Sequence, residues 1–113
     1  MKYVFCVLLI VLVANVPAMA YYTCTGQVTG LSISNGGVVT VSGFNGIVDG
    51  QICQIGASAN GISSDTCKAM YARLLIAETT GKSLTMYFND SLTCSTQPSW
   101  QYLTGMYFGP GTL

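Results

Sequence analysis

The chain is 113 residues long, half of them hydrophobic, with four Lys or Arg, four Asp or Glu, no His and a formal net charge of zero. Charged residues make up only 7% of it and form no basic stripe, which excludes a nucleic-acid partner held through phosphate contacts. The length allows one modest core, and the lack of His removes the usual base of a Ser or Cys nucleophile.

At the N-terminus, Lys2 precedes an apolar run over residues 3–14, and Pro17 leads into Ala18-Met19-Ala20. This is the pattern of a secretory leader with a small-x-small cleavage site, and it predicts cleavage after Ala20. The run is shorter than the ~20 residues a bilayer-spanning helix needs, so no membrane span is expected in the cleaved chain. Cys6 leaves with the leader. Residues 21–113 then form a single secreted or periplasmic domain, where oxidising surroundings allow Cys24, Cys53, Cys67 and Cys94 to pair.

Residues 22–33 interleave Thr23, Thr25, Gln27 and Thr29 with apolar positions, which predicts a half-buried first strand. Asn35-Gly36-Gly37 supplies a tight hairpin turn, and residues 38–41 resume as a second strand. Gly43-Phe44-Asn45-Gly46 is a second turn leading into a third strand over residues 47–55, broken near Asp49-Gly50 by a turn or bulge. Residues 56–64 are small and polar and read as a loop. Ser63 or Ser64 can cap a helix, with Asp65 in its first turn. Cys67, Met70, Tyr71, Leu74 and Leu75 fall at the spacing of one apolar helical face, Glu78 is spaced to pair with Lys82, and Gly81 ends the helix. A fourth strand covers residues 83–88, with Leu84, Met86 and Phe88 on one side and Thr85 and Tyr87 on the other. Residues 89–99 are a turn-rich connection, and residues 100–108 are a fifth strand stopped by Gly109-Pro110.

The order β-β-β-α-β-β predicts a mostly β fold with one helix, an OB-fold-like small Greek-key barrel. An open α+β sheet with one packed helix is the alternative. Four cysteines permit three pairings. Cys53 with Cys67 and Cys24 with Cys94 is the preferred set, because the first closes a short loop at small entropic cost and the second closes the sheet. Without C-x-x-C spacing or His, no metal site is expected, and no cofactor.

The carboxylates suggest structure before chemistry: Asp49 in a turn, Asp65 in a first helical turn, Glu78 in a helical ion pair. A glycosidase pair of Asp49 and Asp90 is the one catalytic arrangement left, and the expectation is a protein that is not an enzyme. Asn89-Asp90-Ser91 has the form of a glycosylation acceptor. Tyr21, Tyr22, Tyr87, Phe88, Trp100, Tyr102, Tyr107 and Phe108 are too many for so small a core, so some are expected on the surface. Beside Thr, Asn and Gln they make a sugar-stacking platform or the anchors of a subunit interface; otherwise Phe88, Trp100 and Phe108 fill the core.

Over residues 66–88 the sequence resembles the B subunits of AB5 toxins of the subtilase-cytotoxin and typhoid-toxin type. The likeness rests on Met70-Tyr71-Ala72-Arg73-Leu74-Leu75, on Thr79-Thr80-Gly81 and on Leu84-Thr85-Met86-Tyr87-Phe88, with Phe108-Gly109-Pro110 as a further similarity. The resemblance implies an OB-fold, a ring of five subunits with central helices, and glycan binding. It places the sugar site at Thr25 and Phe88, with Tyr87 beside them; Phe88 lacks the hydroxyl of the family's pattern. The function expected is therefore that of a glycan- or glycoprotein-binding homo-oligomer, for which the resemblance implies a pentamer. The alternative is a periplasmic interaction or inhibitor protein acting through residues 56–63 or 90–99.

Overall fold

A computed structural model describes residues 21–111; the leader expected over residues 1–20 lies outside them. The chain is mostly β with one helix, arranged as two open three-stranded antiparallel sheets. Strands β1 (Tyr22–Gly26), β5 (Leu84–Phe88) and β6 (Met106–Gly111) form one sheet in the order β1-β5-β6. Strands β2 (Thr29–Ile33), β3 (Val38–Phe44) and β4 (Ile47–Gln54) form the other in sequence order. Helix α1 (Ser64–Thr80) separates β4 from β5, and a 3-10 turn (Cys94–Thr96) sits in the connection to β6.

Four strands therefore precede the helix, where three are expected. The single strand predicted over residues 22–33 is two, and each half joins a different sheet. Cys24 and Val28 point inward two by two, and the phase then slips to Leu31 across Gly30, whose φ is +64°. Such a slip turns the next inward residue onto the other side of the ribbon, and the chain changes sheet. The strand expected over residues 100–108 is displaced in the same way. Trp100 and Gly105 take positive φ, and residues 100–103 run beside β4 instead: Gln51 N donates to Gln101 O, and Leu103 N to Gln51 O. The true last strand begins at Met106 and passes through Gly109-Pro110. Pro110 is tolerated there because β6 is an edge strand, where a missing N–H forfeits no ladder bond on the open side.

The predicted interruption at Asp49-Gly50 does not end β4, although Asp49 has φ +50°. Gly50 is required by packing: a Cβ would lie 2.7 Å from Ile47 and 2.8 Å from Leu103. Helix α1 starts and stops as its caps predict. Ser63 Oγ accepts from Thr66 N, and Gly81 ends the helix in the left-handed conformation. The buried stripe is Cys67, Met70, Leu74 and Ala77, so Leu75, 42% exposed, faces outward instead of completing it. Glu78 does not reach Lys82; its Oε1 accepts from the backbone N–H of Gly30 at 3.0 Å and of Leu31 at 3.4 Å, capping the free edge of β2.

Phe44, Phe88, Ile47, Ile52, Leu74, Leu84, Met86 and Leu103 fill the core between sheets and helix. Of the aromatic trio weighed for the core, only Phe88 is inside; Trp100 is 67% and Phe108 62% exposed. The disulfides are Cys24–Cys94 and Cys53–Cys67, the preferred pairing. They tie β1 to the 3-10 turn and β4 to the first turn of α1. Two disulfides are compatible with a secreted or periplasmic chain. No helix among the described residues is long and apolar enough to cross a membrane.

Candidate functional site

Alternation along β5 sends Leu84, Met86 and Phe88 into the core and Thr85 and Tyr87 outward. On the neighbouring strand, Thr23 stands opposite Tyr87 and Thr25 opposite Thr85, so one uncharged face carries three threonines and a tyrosine. The Thr25 and Thr85 hydroxyls are 2.9 Å apart and share a hydrogen bond, leaving lone pairs and a rotatable proton for a third group. Strand β6 adds aromatic rings at the far end of this face. Phe108 pairs with Tyr87 across the ladder, their rings 5.3 Å apart at 74°. Tyr107 lies 6.4 Å from Tyr87, and Tyr21 meets Tyr107 edge-on at 5.9 Å. Edge-to-face contact leaves ring faces of Phe108 and Tyr107 uncovered, and they are 62% and 53% exposed.

Of the three ligand-binding residues expected, Thr25 and Tyr87 belong to this face. Phe88 does not: it is 0% exposed and stacks on Tyr22 at 5.1 Å. Parity along the regular strand β5 dictates this; β6 escapes it because its register against β5 shifts at Tyr107, between Met106 and Phe108. Tyr107 and Phe108 replace Phe88 as the aromatic surface; their place beside Tyr87 depends on β6 pairing with β5, which no local pattern encodes.

Behind the face, a half-buried polar network fixes residues 89–105. Tyr22 Oη donates to Asp90 Oδ1 at 2.6 Å, and the Thr104 hydroxyl donates to Asp90 Oδ2. Gln97, almost fully buried, donates through Nε2 to Tyr22 Oη and Thr104 O and accepts through Oε1 from Thr104 N. Burial opposes the charge on Asp90, but hydrogen bonds from Thr104, Tyr22, the Leu92 N–H and Gln97 outweigh it and hold the carboxyl below its ordinary range. Burial, then the Asp90 carboxylate, pushes the Tyr22 phenol up to about 12. Asp90 is thus committed to holding a loop, and Glu78 to capping β2. All four cysteines in the described residues are paired, and no group of three or more metal-ligating side chains lies together among those residues.

A second surface feature lies between α1 and β6. Asn60-Gly61 makes a two-residue turn with positive φ at both positions, closed by Ala59 and Ile62, and Asn60 Nδ2 anchors it to Ile52 O and Leu103 O, each at 3.0 Å. This loop, the start of α1 and β6 enclose an open groove of about 670 Å³, walled by Met70, Met106, Tyr107 and Phe108 with Ser63 and Thr66 as polar contacts. A smaller recess of about 150 Å³ continues it past Gly109 to Pro110 and Arg73. In the sequence residues 56–64 read only as a loop, although Asn60-Gly61 is a two-residue turn signal, and Arg73 appears only within the helix motif of the family resemblance.

Comparison of the chain with protein-family models, with curated proteins and with solved structures returns no match.

Proposed function

We propose that the chain is a non-catalytic recognition protein, secreted or periplasmic, that binds a glycan or glycoprotein on the outer face of the β1-β5-β6 sheet. The observation that carries this reading is the uncharged face on which the Thr25–Thr85 hydroxyl pair adjoins the half-buried ring of Tyr87 and the exposed rings of Tyr107 and Phe108. Sugars present apolar C–H faces that stack on aromatic rings and hydroxyls that exchange hydrogen bonds with threonine, so this surface suits a neutral polyol. Taking β1 and β2 as one bent strand that serves both sheets supports the OB-fold reading. The toxin-B-subunit resemblance adds self-association, with pentamers as the expected form. Leu75 and Ile76, 42% and 50% exposed on α1, offer apolar contacts for it.

The test is glycan-array binding by the wild type and by Tyr87→Ala and Phe108→Ala, alongside the solution mass. Loss of signal in both variants at unchanged melting temperature supports the platform. Unchanged binding in both removes it, and a strict monomer removes the ring.

The groove favours a second reading, a protein-interaction module acting through the loop at residues 60–63, since that loop forms one of its walls.

A further inference from the structure

Arg73 is half-buried on α1, and among the described residues no hydrogen bond or ion pair holds its guanidinium. Its Nη1 is shut off from solvent without an acceptor. A charged donor left unmatched in this way is destabilising, and a carboxylate is the acceptor that matches a guanidinium in both charge and geometry. Helical side chains lean toward the N-terminus, which carries the Arg73 head over Ala69 and Met70 into the recess beside Gly109 and Pro110.

The wall opposite is β6, the terminal strand of its sheet. The other sheet has its edges occupied, β4 by residues 100–103 and β2 by Glu78. Among the described residues, the backbone of Met106 to Gly109 makes no hydrogen bond outside the β5 ladder. An open edge beside an apolar groove is the setting in which an extended peptide adds as a strand, its backbone pairing with the edge and its side chains filling the groove. The groove volume lies within the range of ligand sites, roughly 300–1,000 Å³.

Pro110 decides how such a strand ends. It has no N–H to donate, so an added strand runs out of ladder partners there, at the recess that holds Arg73. A chain that terminates at this point leaves no backbone group unmatched, and its terminal carboxylate falls beside the guanidinium. We propose that the α1–β6 groove binds the free C-terminus of a partner protein as an extended strand along β6, with Arg73 taking the terminal carboxylate and Met70 and Met106 receiving the last apolar side chain. This rests on the second reading above; the groove shares Tyr107 and Phe108 with the glycan platform, but Arg73 belongs to the groove alone.

The probe is an acetylated hexapeptide alternating threonine and valine and ending in leucine, prepared as the free acid and as the amide. Binding is followed by backbone and Arg Nε chemical shifts of the isotope-labelled mature protein. The free acid is expected to move Met106 to Gly109 and the Arg73 Nε signal, and to bind about tenfold more tightly than the amide, the size of one charge-assisted contact. Arg73→Gln is expected to bring acid and amide within about twofold of each other, and Arg73→Lys to retain part of the preference. Equal binding of acid and amide by wild type, or no binding of either, overturns the proposal. So does tighter binding of an amide-ended peptide with an internal aspartate, which assigns the groove to an acidic side chain. A fall in solution mass of Arg73→Gln with no peptide response assigns it to a second copy of the chain and overturns the proposal as well. Glycan binding by Arg73→Gln is unchanged in either case, so the groove and the platform are judged separately.

Discussion

At the scale of single residues, the Tyr22–Asp90–Gln97–Thr104 network is the part of the molecule with most to lose from a small change. Gln97 satisfies both backbone groups of Thr104 and sits almost fully buried itself, so Gln97→Leu removes the partner of a part-buried N–H and C=O. The expected loss is about 1–3 kcal/mol in urea denaturation, against little for the exposed Gln27→Leu. Asp90 sets a pH dependence. Its folded-state pKa lies below the ordinary 3.8, so its contribution is complete above that value and disappears as the pH falls through the lower folded value. Tyr22 acts at the other end: the native state keeps a proton that the unfolded chain releases above 10, so stability falls between pH 10 and about 12. Melting temperature against pH should therefore decline at both ends for the wild type. Asp90→Asn should flatten the acid limb and Tyr22→Phe the alkaline limb; limbs that match the wild type in both variants would remove the network from the explanation.

At the scale of elements, legibility follows how local the determining contact is. Helix α1 was readable because its start and stop are written in adjacent residues, Ser63 capping Thr66 N and Gly81 taking the left-handed turn. Ser63→Ala should cost about 1 kcal/mol, read as a lower urea midpoint with unchanged slope; an unaffected midpoint would mean that the Ser64 hydroxyl bond to Ile55 O fixes the helix start by itself. Strand β5 was readable for the same reason, since period-two alternation fixes its two faces. The junction of β1 and β2 was not, because its cause is the pairing of one half with β5 and the other with β3, far along the chain. The last strand was misplaced for a related reason. Trp100 to Leu103 is apolar enough to read as a strand, but its hydrogen bonds go to β4, while β6 begins only after the turn at Gly105. The candidate face inherits this: the outward side of Tyr87 is legible from strand parity, Thr25 enters only through the family resemblance, and Phe108 and Tyr107 depend on where β6 lies.

At the scale of the whole molecule, the two disulfides divide the surface into regions that can be loosened separately. Cys53–Cys67 closes a loop with a sequence separation of 14 and fixes the start of α1, hence one wall of the groove. Cys24–Cys94 spans a separation of 70 and holds β1, hence the back of the aromatic face, against the 3-10 turn. By chain entropy these are worth about 3 and somewhat over 4 kcal/mol respectively, large beside the net stability of a domain this small. Replacing Cys53 and Cys67 together by Ala should therefore lower the urea midpoint by the smaller amount. It should also speed amide exchange at the start of α1 while leaving the ring resonances of Tyr87 in place, because that ring packs against β6 rings and does not line the groove beside the helix. Replacing Cys24 and Cys94 should do the reverse, costing more stability and broadening the ring signals first. If the Cys53 and Cys67 variant also disperses the ring signals, the two sheets fold as one unit whose outer face depends on the helix, and the platform and the groove must then be treated as a single coupled surface.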